Sequence, residues 1–139
     1  MSNPIKLEVL TPERLVFSAT VSEVQFPTAF RGYYGILPDH TPVLTPVGDG
    51  LVLFKHDDDT EGCLTVFGGF AEVGPDRLII LARESETPEQ LDVAQIDRAQ
   101  EAAMALLKEA KDNTELLEAQ RRLDACLIRR QALGQDTSH

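Results

Sequence analysis

The sequence predicts an all-β N-terminal sandwich, or flattened antiparallel barrel, over residues 1–87. An α-helical antiparallel hairpin with a short tail follows over residues 88–139. Three observations predict this. Up to residue 87 the chain is rich in Val, Ile, Phe, Thr, Pro and Gly, in short alternating or apolar runs separated by turn residues. After residue 87 the apolar residues recur at helical spacing. Between the two parts, Thr87-Pro88-Glu89-Gln90 reads as a helix start.

Lys6-Leu7-Glu8-Val9 alternates polar and apolar, the mark of a half-buried strand. Leu15-Val16-Phe17 and the run Val21 to Phe26 continue the pattern. Leu51 to Phe54, Cys63 to Phe67, Phe70 to Val73 and Arg77 to Leu81 are further short strands. Thr11-Pro12-Glu13-Arg14 and Gly74-Pro75-Asp76-Arg77 are turn signals, the second with Pro where a type I turn accepts it. His56 to Gly62, with three Asp in a row, reads as a solvated hairpin tip. Gly68-Gly69 suits a bulge or a close backbone approach.

In the helical part, Thr87 caps, Pro88 takes the first helical position and Gln90 completes a capping box. Leu91, Ala94, Ala99, Ala102, Ala103, Leu106 and Ala110 share a face of a first helix of about 24 residues, roughly 36 Å long. Lys111-Asp112-Asn113-Thr114 stops it and caps a second, whose stripe is Leu116, Ala119, Leu123, Cys126 and Leu127. Arg129 and Arg130 suit its last turn, and Gly134 suits its C-terminal cap. Alanine methyls allow close approach but bury little area, so the hairpin is expected to dock weakly and to move.

Composition excludes several classes of function. The 139 residues carry a formal net charge of −10, which argues against a nucleic-acid binder and against adsorption to an anionic membrane. No run approaches 18 apolar residues, so direct membrane insertion is not expected. The opening MSNPIKLEVL does not read as a secretion signal. Two cysteines, Cys63 and Cys126, make no disulfide framework and fit a reduced compartment.

The residues offer no catalytic constellation, cofactor motif or metal site. His40, His56 and His139 have no second His or Cys at ligand spacing. Asp57-Asp58-Asp59 reads as a solvated turn, and the cysteines as core. The unusual segment is Gly32 to Pro42, with Tyr33, Tyr34, Ile36 and Leu37 between Gly and Pro. It reads either as a loop folded back onto the core or as an exposed contact surface.

Gly35-Ile36-Leu37-Pro38-Asp39-His40-Thr41-Pro42-Val43-Leu44-Thr45 resembles the G-I-L-P-x-H-x-P-L-L-T signature of the epsilon subunit of F-type ATP synthase. Gly68-Gly69-Phe70-Ala71-Glu72-Val73, followed by Leu78 to Ala82, is similar to that family's G-G-F-x-E-V…V-T-V-L-A segment. Leu7 to Glu13, then Val16-Phe17, also matches, and the similarity runs from about residue 5 to 133.

The resemblance implies a non-catalytic central-stalk subunit on the cytoplasmic face of the bacterial plasma membrane. Its sandwich would bind the gamma subunit and the c-ring. Its hairpin, extended along gamma towards the catalytic alpha and beta subunits, would restrain ATP hydrolysis. It also implies a partner interface at Tyr33, Tyr34, Gly35, Ile36, Leu37 and His40. Arg31 and Asp39 depart from the family pattern, where many relatives have a small or acidic residue and Gly. The alternatives are an ATP-sensing module and a small enzyme working through Asp39-His40. Family members that bind ATP resemble [IL]-D-x-x-R-A, which here reads Leu91-Asp92-Val93-Ala94-Gln95-Ile96. Gln95 stands at the arginine position, leaving Asp92, Arg98 and Arg122 as the candidate nucleotide contacts and no bound cofactor expected.

Overall fold

The computed structural model describes residues 4–29, 32–36 and 43–136, by the backbone alone at 32–36 and 135–136. Ile5, Leu7 and Val9 are fully buried and Lys6 is exposed, so the alternation read in the sequence separates the two faces of β1 (Ile5–Leu10). The chain continues through β2 (Leu15–Val21), β3 (Glu23–Thr28), β4 (Gly32–Ile36), β5 (Val43–Pro46) and β6 (Asp49–Lys55). Two long strands follow, β7 (Glu61–Val73) and β8 (Arg77–Glu86), then a 3₁₀ turn at Pro88–Gln90, α1 (Val93–Glu109) and α2 (Asn113–Asp136).

The strand order is β2-β1-β8-β7-β6-β3-β4, with β5 on β7, and only the β1–β8 pairing is parallel among the described strands. A single sheet makes a sandwich because β7 and β8 belong to both layers. Residues 61–67 of β7 pair with β6, and residues 70–73 pair with β5. The change of layer falls on Gly68 and Gly69, with φ of 68° and 121°. Register against β8 keeps one offset across them, from Phe67↔Glu84 to Gly69↔Ala82, so no residue is inserted. The pair is a bend with close backbone approach, not a bulge. A Cβ on Gly69 would overlap the Leu81 carbonyl oxygen, and one on Gly68 would overlap the Arg83 guanidinium.

Between the layers lies one core. It includes Ile5, Leu7, Phe26, Leu64, Val66 and Ile80, and none of its buried residues comes from a helix. The hairpin is attached by a separate, smaller cluster: Leu51, Cys63 and Ala132, with Leu53, Leu91 and Ile128 against them. Between the helices, Ile96, Ala103, Ala119 and Cys126 are buried. Of the face expected on the first helix Ala103 is buried here but Ala94, Ala99 and Ala102 are exposed, and on α2 Leu116 and Leu127 are exposed as well.

Several expectations need correction. Gly32–Ile36 is not loop: it is strand β4, paired antiparallel with β3, with Tyr34 opposite Phe26. Its glycines resemble loop punctuation, but the open edge of β3 supplies backbone partners that satisfy the segment as a strand. Val43–Pro46 pairs with β7, although no strand is legible there locally. Cys63–Phe67 and Phe70–Val73 are one strand rather than two, because the glycines bend the chain without ending its pairing.

The first helix is also shorter than expected. Gln90 Oε1 accepts from the Thr87 N–H at 2.9 Å, but this starts only the 3₁₀ turn. Leu91 is extended (φ −87°, ψ 141°) and packs on the sheet cluster. Asp92 then caps α1, accepting from the Ala94 N–H at 3.0 Å. The helix has 17 residues and spans roughly 26 Å. Asp112 caps α2 by accepting from the Glu115 N–H at 2.8 Å. Replacing Asp112 with Ala is expected to cost about 1 kcal/mol of hairpin stability, measurable by thermal melting at 222 nm. An unchanged melt would show that Asn113 or Thr114 takes over. Gly134 lies inside α2 and does not end it.

Candidate interaction surface

Outward positions on β1, β7 and β8 begin as the alternation requires. Lys6, Arg77 and Glu72 are exposed, with Arg77 3.4 Å from Glu72. At the other end of the same strands the outward residues become apolar. Register brings them into one row: Leu15 faces Leu10, Leu10 faces Leu81, Leu81 faces Phe70, and Phe70 faces Pro46. Leu15 is 51% exposed, Leu81 57% and Phe70 55%. Leu44, 70% exposed, lies across from Glu72 on the same face. Lone exposed aliphatics are ordinary, but a row crossing five strands is a contiguous apolar patch of the kind that partners cover. Nothing local in the sequence marks the row, because its members become neighbours only through register.

The residues expected at an interface are placed differently. Tyr33, Tyr34, Gly35 and Ile36 belong to β4, with Tyr33 opposite Pro27 and Ile36 opposite Val24. Leu37 and His40 lie outside the described residues, as do Arg31, Asp39 and His139.

On the other layer, a cavity of about 270 Å³ opens where β8 meets the helices. Its lining includes Glu86, Gln90, Asp92, Gln95, Cys126 and Arg129. Of the three candidate nucleotide contacts only Asp92 borders it, and its carboxylate is engaged as the α1 cap. Arg98 is exposed on α1. Arg122 donates from Nε to Glu118 Oε2 at 2.8 Å, so the structure does not gather the three. The cation that does line the cavity is Arg129, which the helical pattern marked only as a last-turn charge.

Glu118 also accepts from Arg121 Nη2 at 2.7 Å, and the two guanidinium groups hold its carboxyl below the ordinary glutamate value. A depressed carboxyl stabilises the fold above the unfolded pKa and loses that contribution as pH falls through the folded one. NMR titration of Glu118 is therefore expected to give a midpoint below that of glutamate in an unstructured peptide. Equal midpoints would show that the fork is not held in solution.

An open sandwich bent at a glycine pair, with an apolar row outside one layer and a helical hairpin on the other, defines a small β-sandwich protein with an appended helical arm. Residues 4–88 match the family profile described as ATP synthase, Delta/Epsilon chain, beta-sandwich domain. The chain is 37% identical over 130 residues to the ATP synthase epsilon chain of Moorella thermoacetica, covering 94% of this chain and 96% of that one. It is 37% identical over 112 residues to that of Bacillus subtilis, with 81% and 83% covered. In structure it is similar to a chain of the Euglena gracilis mitochondrial ATP synthase in an assembly of OSCP, F1 and c-ring. That match has a TM-score of 0.79 at 19% identity, covering 96% of this chain and 83% of that one. A chain of the Tetrahymena thermophila central stalk and c-ring matches with a TM-score of 0.64 at 12% identity, covering 95% and 98%. The chain belongs to the delta/epsilon chain family of ATP synthase, on the epsilon side. No helix among its described residues is long and apolar enough to cross a membrane.

Proposed function

We propose that the chain is a central-stalk subunit that makes no bonds itself and couples proton-driven rotation to ATP synthesis. Residues 1–87 dock on the gamma subunit and the c-ring, and residues 88–139 form the hairpin that restrains ATP hydrolysis by reaching the alpha and beta subunits. The complex holds it at the cytoplasmic face of the bacterial plasma membrane. The observation that carries the reading is the Leu15–Leu10–Leu81–Phe70–Pro46 row, an apolar band on a sheet face whose far end carries Lys6, Arg77 and Glu72. We assign gamma to this row, and we propose that Tyr33, Tyr34, Gly35, Ile36, Leu37 and His40 also contribute to the rotor contacts.

The test is co-purification with gamma. Replacing Phe70 and Leu81 together with Ser is expected to weaken binding about 30- to 1000-fold, since two exposed apolar side chains would lose about 2–4 kcal/mol of burial. The variant's unfolding curve should match the parent's, because neither side chain is in the core. Undiminished co-purification would remove gamma from this face.

Nucleotide is not the regulator in this reading. The cavity's Arg129 is paired with Glu86 at 3.0 Å, and the matching run has Gln95 where phosphate recognition needs a guanidinium. Calorimetric titration of the isolated chain with Mg-ATP is expected to show no binding at micromolar concentrations. Micromolar affinity would instead favour the ATP-sensing module.

A further inference from the structure

Among the described side chains, Arg129 is the charged residue of the hairpin most deeply set against the sandwich. Its side chain is 21% exposed, and its guanidinium carbon lies 4.7 Å from the centroid of the Phe67 ring. Nε donates to Glu86 Oε1 at 3.0 Å, and Nη2 lies 3.9 Å from Glu84 Oε2. What receives it is built by the sandwich alone. Phe67 and Glu84 are partners across β7 and β8, and so are Thr65 and Glu86. Alternation puts all four on one sheet face. The buried Thr65 hydroxyl donates to Glu86 Oε1 at 2.9 Å and accepts from the Glu86 N–H at 3.0 Å, which fixes that carboxylate in place. An aromatic floor with two carboxylates beside it matches a planar, permanently charged fork and would suit an ammonium less well.

We propose that Phe67, Glu84 and Glu86 form a guanidinium receptor on the sandwich, that Arg129 is its built-in ligand, and that this contact holds the hairpin down. The rest of the junction is small: Leu51, Cys63 and Ala132 are its buried apolar residues, and the Cys63 thiol donates to the Ala132 carbonyl at 3.5 Å. The inference does not depend on the rotor reading and is tested on the isolated chain.

The two thiols report separately on the two joints. Cys63 is covered by α2 at the sheet, whereas Cys126 is covered between the helices, 3.9 Å from the Ile96 carbonyl. Undocking of an intact hairpin strips the first of its cover, whereas the second, which also borders the cavity at β8, keeps the cover of α1. Alkylation of the full chain with iodoacetamide, followed for each cysteine by mass spectrometry, is the measurement. Arg129→Met keeps the aliphatic packing and is expected to accelerate alkylation of Cys63 about five- to twentyfold, with little change at Cys126 and unchanged helical circular dichroism. Glu86→Gln should act in the same direction by a smaller factor. The double variant should be no faster than Arg129→Met alone, because both remove one contact. Three results would each overturn the proposal: a Cys63 rate within twofold of the parent in Arg129→Met, equal acceleration of both cysteines with loss of helix, or a double variant whose acceleration is the product of the two singles.

Discussion

Alanine at Gly69 is expected to destabilise the sandwich by about 3 kcal/mol or more. Two independent costs meet there. The backbone holds φ at 121°, a region that side-chain-bearing residues rarely enter. The added Cβ would also overlap the Leu81 carbonyl oxygen, a backbone atom on the paired strand that cannot turn aside. Relief requires parting β7 from β8 where both cross between the layers. Gly68 provides the control. Its φ of 68° is the left-handed conformation, and the group in the way is the mobile end of the Arg83 side chain. Gly68→Ala should therefore cost only about 1–2 kcal/mol. Urea unfolding of both variants measures the difference, and a loss below 1 kcal/mol at Gly69 would mean that the bend relaxes.

Leu64→Ala is expected to cost about 3–4 kcal/mol, more than deleting everything after Thr87. Leu64 is fully buried in the core between the layers, and the cavity left by truncation is walled by paired strands that cannot collapse. The hairpin contributes no residue to that core. Its removal exposes the Leu51–Cys63 patch and releases Arg129 from Glu86, a change of about 2 kcal/mol or less. The fragment of residues 1–87 should thus unfold cooperatively near the parent's denaturant midpoint and self-associate somewhat through the uncovered patch. An unfolded fragment would show that the helices are part of the folding unit. An intact fragment that no longer binds gamma would move the docking surface onto the hairpin.

Much of this architecture was legible residue by residue. Ile5, Leu7 and Val9 alternate with Lys6 and Glu8, and alternation is enough to set a strand and its buried face. The Asp57–Asp59 tip is the β6–β7 turn, where Asp58 Oδ1 accepts from the Thr60 N–H at 3.1 Å and from its hydroxyl at 2.6 Å. The signature around Gly35–Thr45 and Gly68–Val73 pointed to the family. These signals are short-range: a period, a cap or a turn is complete within a few residues.

Competition and register were decided only by tertiary structure. Thr87 and Asp92 are both sound helix caps, and the packing of Leu91 on the sheet gave the helix to the second. Gly32–Ile36 became a strand because β3 left an edge to pair with. Period two tells which face a side chain takes but not which residue stands beside it. Hence Leu10, Leu15, Phe70 and Leu81 belong to four separate runs of the sequence and become neighbours only once β1, β2, β7 and β8 are aligned. Arg129 likewise read as a last-turn charge, because its partners Phe67, Glu84 and Glu86 lie more than forty residues away in the chain. The candidate surface and the clasp both rest on contacts between distant segments, and such contacts exist only once the chain has closed on itself.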